Sequence, residues 1–346
     1  MEKLRLGSYI SYTAVFIITV CVVMYGYPIS QGMKHAVETC LNTMIPSLYA
    51  MMICSTLFLS SGLHRILSRF LNAPARILFG CSGDVLVIFL LSQTAGYPVG
   101  AKMLCTLCRN GQLTKKQASW LAGVCFGGGP AFLSALFADN KKYASAVFLS
   151  CFLSNLLIFS VMSRFLHLKN DLSCCCAHNS LRSSDIVEAV SGSGIALLRI
   201  CTMVIMFGGI IGLSEASGLF TFIPENANDI VLSITEISRI TEIIPCSRSL
   251  LPAAGTLLSF GGICVLMQIA AVSEGDLNMM ILLILRIFAA GLTWLFLTAF
   301  IRIFPEENVL EAAVVWQPPS DIQSGSPVPS LLLLLMTFML LKTAKT

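Results

Sequence analysis

Charge is scarce in this chain: 12% of its 346 residues are Asp, Glu, Lys or Arg, while 56% are hydrophobic. Soluble domains carry about 25% charged residues, so this composition excludes an ordinary water-soluble fold. Chemistry-bearing patterns are also missing. The chain has no paired carboxylates, no Ser-His-Asp or HExxH constellation, and no Walker or GxGxxG loop. These absences argue against hydrolytic, metalloenzyme and nucleotide-binding roles, and we read the protein as a non-enzyme without a cofactor. Histidine is sparse, with His35, His64, His167 and His178 all expected outside the spans. There is no basic stripe with interleaved aromatics, which excludes nucleic acid as a partner.

Cysteine is plentiful, with 14 residues, but the cluster Cys174-Cys175-Cys176, in a polar loop with His178 nearby, lacks the C-x₂-C spacing of a zinc site. Most other cysteines, such as Cys21, Cys54, Cys105, Cys151 and Cys201, stand singly in apolar runs, where they pack as small hydrophobes. The N-terminal segment has a basic start and an apolar core but no small-x-small cleavage site. An uncleaved first helix is expected.

What the chain does have is apolar length. Candidate spans fall near residues 8–27, 37–62, 117–138, 143–165, 195–218, 250–272 and 279–303, each about the 20 residues needed to cross a bilayer. The expected organisation is an N-terminal helix and connection (1–36), a first half (37–165), a polar cytoplasmic linker (166–194), a second half (195–303) and a polar tail (304–346) with a short apolar run at 331–341. Basic residues Arg65, Arg69, Arg76, Arg109, Lys115, Lys116 and Arg164 lie on one side of these spans, which makes that side cytoplasmic. Lys141 and Lys142 dissent.

Two apolar stretches are broken. Residues 84–110 contain Gly96-Tyr97-Pro98-Val99-Gly100-Ala101-Lys102, and residues 229–249 contain charge and Pro245. In hydrocarbon, non-helical backbone survives only when buried in protein or facing a wet cavity. The first stretch therefore predicts a re-entrant hairpin. Its second half-helix, starting near Val99, points free N–H groups at an anion, with Lys102 in the first turn. Glu236 in the second stretch is either a proton or cation site or the helix partner of Arg239. Leu91-Ser92-x-Thr94 echoes Leu232-Ser233-x-Thr235, and Phe126-Gly127-Gly128 echoes Phe260-Gly261-Gly262. These echoes suggest an internal repeat. Three crossings in the first half would invert the second. Packing explains the glycine clusters as well as ligand contact does, and Gln268 is either a helix–helix bond or a ligand.

The residues Gly96 to Lys102, Cys125 with Gly129-Pro130, Glu236-Ile237-Ser238 and Phe260-Gly261-Gly262-x-x-Val265-x-x-Gln268 resemble the sporulation integral membrane protein family called YlbJ or SpoVV. That family lies within the nucleoside-recognition Gate-domain group. The resemblance runs from about Val37 to Arg302. It implies an all-α polytopic membrane protein of two inverted Gate-type repeats with broken or re-entrant hairpins. It further implies a carrier for a small organic anion, dipicolinic acid, during spore formation, in the cell membrane or around the forespore. The partners expected are membrane lipid and that anion, with a homo-oligomer left open. The binding residues it points to are Thr94, Gly96, Tyr97, Pro98, Gly100, Lys102, Cys125, Gly129, Pro130, Glu236, Ser238, Gly261, Gly262 and Gln268. The chain departs from the family at Phe126-Gly127 and Leu266, where the family carries polar residues. A scaffold without transport, or a carrier of a nucleoside or ion, are the alternatives.

Overall fold

The computed structural model describes residues 2–137, 141–166, 183–218, 225–237, 240 and 250–303. Among these there is no strand. The helices are α1 (Glu2–Met24), α2 (Gly26–Thr39), α3 (Ile45–Ser60), α4 (Leu63–Pro74), α5 (Gly83–Ala95), α6 (Tyr97–Arg109), α7 (Lys115–Val124), α8 (Pro130–Leu136), α9 (Lys141–Phe165), α10 (Ser183–Ala216), α11 (Glu225–Thr235), α12 (Leu251–Phe260), α13 (Gly262–Ser273) and α14 (Met279–Ile303).

Among the described residues, five helical stretches are long and apolar enough to cross a membrane: Gly26–Ser60, α9, α10, Leu251–Ser273 and α14. The protein is a multi-pass helical membrane protein. These five overlap five of the expected spans. Of the other two, residues 8–27 fall largely on α1, and 117–138 is two short helices with an unwound stretch at 125–129 between them. The expected start at 37 lies inside a continuous helical stretch, Gly26–Ser60, which also carries His35. Ser238, Arg239, Cys174 to Cys176, His167, His178 and residues 331–341 lie outside the described residues.

Gly26–Ser60 is not a uniform helix. Residues Cys40–Met44 form a π turn, with the Ile45 N–H bonded to the Cys40 carbonyl. Pro46 supplies the cause: it has no N–H for the carbonyl four residues back, so the ladder slips by one. Against this helix packs α10, whose 34 residues span about 50 Å, more than the hydrocarbon core. The contact is built from glycine. A Cβ on Gly208 would sit 2.6 Å from the Gly32 carbonyl oxygen and 2.6 Å from the Ala36 Cβ. Small residues at that crossing let two backbones touch, which is how helices gain packing energy without a hydrophobic driving force.

α7 starts with a full capping box, Thr114 and Gln117 satisfying each other's backbone N–H. α14 starts at Asn278, whose Oδ1 accepts from the Met280 and Ile281 N–H groups. α4 turns sharply away from the direction of α5: the stretch Leu63–Phe79 makes an angle of 93° with it.

Candidate functional site

The first broken stretch is a hairpin. α5 ends and α6 begins at Gly96, whose φ of +96° only glycine adopts readily. Pro98 sits in the first turn of α6, where its missing N–H costs nothing. A Cβ on Gly100 would lie 2.9 Å from the Ser92 Cβ. Residues eight apart in a straight helix are about 12 Å apart, so α6 folds back along α5. The hairpin tip meets the next break: a Cβ on Gly129 would sit 2.8 Å from the Thr94 carbonyl oxygen and 3.2 Å from the Gly96 nitrogen.

A second pair of breaks meets in the same region. α11 ends at Thr235, and a Cβ on Gly262 would lie 3.0 Å from the Ile234 carbonyl oxygen. Gly261, between α12 and α13, has φ +90° and lies against the Phe126 ring. Tyr97 ties the two pairs together by donating its hydroxyl to the Leu258 carbonyl at 2.6 Å.

Six of the expected site residues line one small cavity at this junction: Gly96, Tyr97, Pro98, Gly129, Glu236 and Gln268, with Met44, Leu48, Phe132, Ile237 and Val265. Its volume is about 30 Å³, against roughly 300–1,000 Å³ for a small-molecule pocket. A dianionic aromatic acid does not fit there in this conformation. Gln268 is buried and donates to the Cys264 sulfur at 3.3 Å, while Cys264 also hydrogen-bonds to Glu236. Glu236 is 5% exposed and also borders a wide cavity of about 590 Å³ between α2 and α10, whose wall carries Gln31, His35 and Glu215.

The remaining expected residues lie elsewhere, for physical reasons. Lys102 is the sixth residue of α6, not in its first turn, because the helix starts at Tyr97 and not near Val99. Its ammonium donates to Ser193 Oγ of α10 at 2.9 Å and lines a separate cleft of about 500 Å³. Gly100 is a packing position, pressed on Ser92 and the Cys125 carbonyl. Cys125 is buried at the end of α7. Thr94 is exposed, with its hydroxyl turned back to the Leu91 carbonyl. Pro130 opens α8. Gly261 and Gly262 make room for Phe126 and α11.

The most charged buried group is one that hydropathy reading passes over. Arg286, in the middle of α14, is 0% exposed. Its guanidinium donates to Asn155 Oδ1 at 2.8 Å, to the Ser259 carbonyl at 3.3 Å and to the Phe126 carbonyl at 3.5 Å. It also lies 4.6 Å above the Phe126 ring. Asn155 donates in turn to the Phe126 carbonyl at 2.6 Å and to Gln93 Oε1 at 3.0 Å, and Gln93 donates to the Val124 carbonyl at 2.9 Å. Every one of these carbonyls is at or just past the C-terminal end of α7 or α12. Helix ends leave carbonyls unpaired and carry partial negative charge, and a single cation answers both. No carboxylate forms an ion pair with Arg286 among the described residues. The sequence signal was an Arg inside the apolar stretch of a 25-residue helix, well away from Arg302 at its end, which in a membrane marks a role inside the protein by default. Asn155 and Gln93 are the same kind of signal.

At the basic end of the bundle, an ion-pair cluster joins four elements. Arg109 on α6 donates to Asp276 at 2.6 Å and to Glu274 at 3.1 Å, Lys115 on α7 lies 3.7 Å from Asp276, and Arg199 on α10 pairs with Glu274. Glu274 has φ +50°, the sole non-glycine residue at positive φ among those described. Arg199 first, then Arg109, holds the Glu274 carboxyl below its usual range. A depressed carboxylate stabilises the folded cluster above its unfolded pKa of about 4.3, and that contribution is lost as pH falls through the lower folded value. Hydrogen exchange in residues 273–278, corrected for intrinsic rates, is therefore expected to stay flat from pH 8 to about 5 and to rise below about pH 4. Glu274→Gln is expected to raise it at neutral pH and to converge with the native protein at the acid end, where Glu274 is itself neutral. A variant indistinguishable from the native protein at neutral pH would mean that the cluster does not hold the loop.

No protein-family model, no curated protein and no solved structure matches the chain.

Proposed function

We propose that the protein is a secondary carrier for a small organic anion, with dipicolinic acid as the cargo that the family resemblance implies. The observation that carries this reading is the meeting of two helix breaks, Gly96 and Glu236, at one buried junction whose Glu236 also borders the wide cavity between α2 and α10. Irregular backbone at membrane depth is stable only in such a setting.

The order of elements supports two inverted repeats. A break after α5 is followed by the broken pair α7 and α8 and by the long α9. A break after α11 is followed by the broken pair α12 and α13 and by the long α14. The short sequence echoes land on the matching places: Ser92 and Ser233 precede the breaks after α5 and α11, and Gly127 and Gly261 sit in the two broken spans. In this reading the wide cavity opens outward to Glu236. The ion pairs of Arg109, Lys115 and Arg199 shut the cytoplasmic end, below which Lys102 waits in its own cleft. Pro98 and the glycines shape the junction, Glu236 couples transport to a proton or cation, and Lys102 attracts the anion on the cytoplasmic side. The alternating-access cycle would then open the junction from its closed volume.

The test is uptake of radiolabelled dipicolinate into proteoliposomes under proton and sodium gradients. Saturable uptake is expected. Glu236→Gln is expected to reduce it at least tenfold, and Lys102→Ala to raise the half-saturating concentration. The second reading, a scaffold without transport, is favoured by Phe126, whose ring fills the space between Tyr97, Gly261 and Arg286. A well-folded native protein that moves no dipicolinate under any gradient, and no nucleoside in the same assay, would establish that reading instead.

A further inference from the structure

α4 and its π extension present three distinct faces. At 100° per residue, Leu63, Ile66, Leu67, Phe70 and Ile77 share one stripe, and all five are exposed, Phe70 at 78% and Ile77 at 77%. About 120° away, His64, Ser68 and Ala75 are buried, and Ser68 receives the close approach of Gly83 on α5. This helix therefore turns its small and polar side to the protein and its large apolar side out. That is the inverse of a helix facing water. On the third stripe, about 220° round, stand Arg65, Arg69 and Arg76.

The helix lies at 93° to α5, so if α5 enters along the bilayer normal, α4 runs along the surface. Its end of the bundle is the basic one: Arg65 and Arg69 line the 500 Å³ cleft together with Asn110, which ends α6 beside the ion-pair cluster. Asp185 and Glu188 form the opposite wall of that cleft. An apolar stripe beside a row of arginines is the pattern of an interfacial helix that takes both acyl chains and phosphate.

We infer that α4 is a binding site for anionic phospholipid of the cytoplasmic leaflet, with the phosphate on the Arg65, Arg69 and Arg76 row and the acyl chains along Ile66 and Phe70. Guanidinium groups suit this ligand because they meet phosphate oxygens in pairs. The neighbouring apolar stripe selects a lipid over soluble phosphate. A second copy of the chain would cover the apolar stripe equally well but would gain nothing from three like charges set along its edge.

The inference rests on the membrane placement of the chain and not on its cargo. The test uses the full-length protein in mixed micelles carrying phosphatidylglycerol or phosphatidylcholine, with retained lipid counted by native mass spectrometry. Phosphatidylglycerol is expected to be retained at least tenfold better, since each surface arginine contributes roughly a fivefold preference. In Arg65→Gln/Arg69→Gln/Arg76→Gln the preference is expected to fall to about twofold or less, whereas Lys141→Gln/Lys142→Gln at the other end keeps it. Equal retention of the two lipids by the native protein, or an unchanged preference in the triple variant, would overturn the site. Should the triple variant fail to fold, Phe70→Trp in nanodiscs answers the same question. Brominated phosphatidylglycerol is expected to quench the added fluorescence more than brominated phosphatidylcholine, and equal or no quenching overturns the proposal. A dimer in micelles that Phe70→Ser converts to a monomer would assign the stripe to a second copy and equally overturn it.

Discussion

Replacing Arg286 by Met is expected to destabilise the protein by about 3 kcal/mol, in the range found when one partner of a buried charged network is removed. In detergent this reads as a thermal midpoint lower by roughly 5 °C. Two effects compete. Removing the charge relieves the cost of burying a guanidinium, which favours the variant. Against that, Asn155 Oδ1 and the Ser259 carbonyl lose their donor, and each buried orphan costs about 1–3 kcal/mol. The Phe126 carbonyl keeps its bond from Asn155. The ends of α7 and α12 would also face one another without a cation between them, and that repulsion in a low-dielectric interior tips the balance toward loss. A double-mutant cycle with Asn155→Leu isolates the pair. A coupling near zero would show that Arg286 is held by shape alone, and a positive value above about 1 kcal/mol would show that the hydrogen bond carries the link.

Gly100→Ala is expected to be nearly as severe, at about 2–3 kcal/mol, with transport lost as well. The new methyl would overlap the Cys125 carbonyl oxygen and come within 2.9 Å of the Ser92 Cβ. Neither obstacle is a flexible side chain, since one is backbone and the other is the first atom of a residue buried in α5. The two arms of the hairpin must then separate, and the contact of Gly96 with Gly129 opens with them. Gly291→Ala is the control. That position is a helical glycine of α14 with nothing within 4 Å of its Cβ, so the substitution is expected to stabilise by about 0.5–1 kcal/mol through helix propensity. If Gly100→Ala behaved like Gly291→Ala in thermal unfolding, the hairpin would be looser than its geometry states.

The ion-pair cluster connects these predictions to function. It joins α6, α7, α10 and the turn before α14 at one end of the molecule. The Arg286 network joins α5, α7, α9, α12 and α14 nearer the middle. Both link residues before 166 to residues after 194, so a carrier that rocks one half against the other would have to break the first and rearrange the second. The proposed cycle therefore assigns the exposed pairs, which are individually weak, to gating. The buried network, in which Arg286 Nε alone has no hydrogen-bond partner among the described residues, would resist the separation of the two halves.

Much of this architecture was legible before any coordinates. Apolar runs of about 20 residues, charge gathered mostly at their flanks, and a Gly-x-Pro-x-Gly interruption determined a helical membrane protein with a break at Gly96. Those features depend on local chemistry, because lipid forces the backbone of each segment to satisfy itself. What only the tertiary structure decided was where side chains converge. Lys102 and Gly96 are six residues apart in the chain, yet the early start of α6 sends the ammonium to Ser193 and a different cavity. Gly127 and Phe126 looked like lost ligands, yet Phe126 supplies the ring beneath Arg286 and the wall behind Gly261. Arg286 and Asn155 are separated by 131 positions. Their meeting depends on two helix C-termini converging on one point, and periodicity along a single helix carries no information about the end of another.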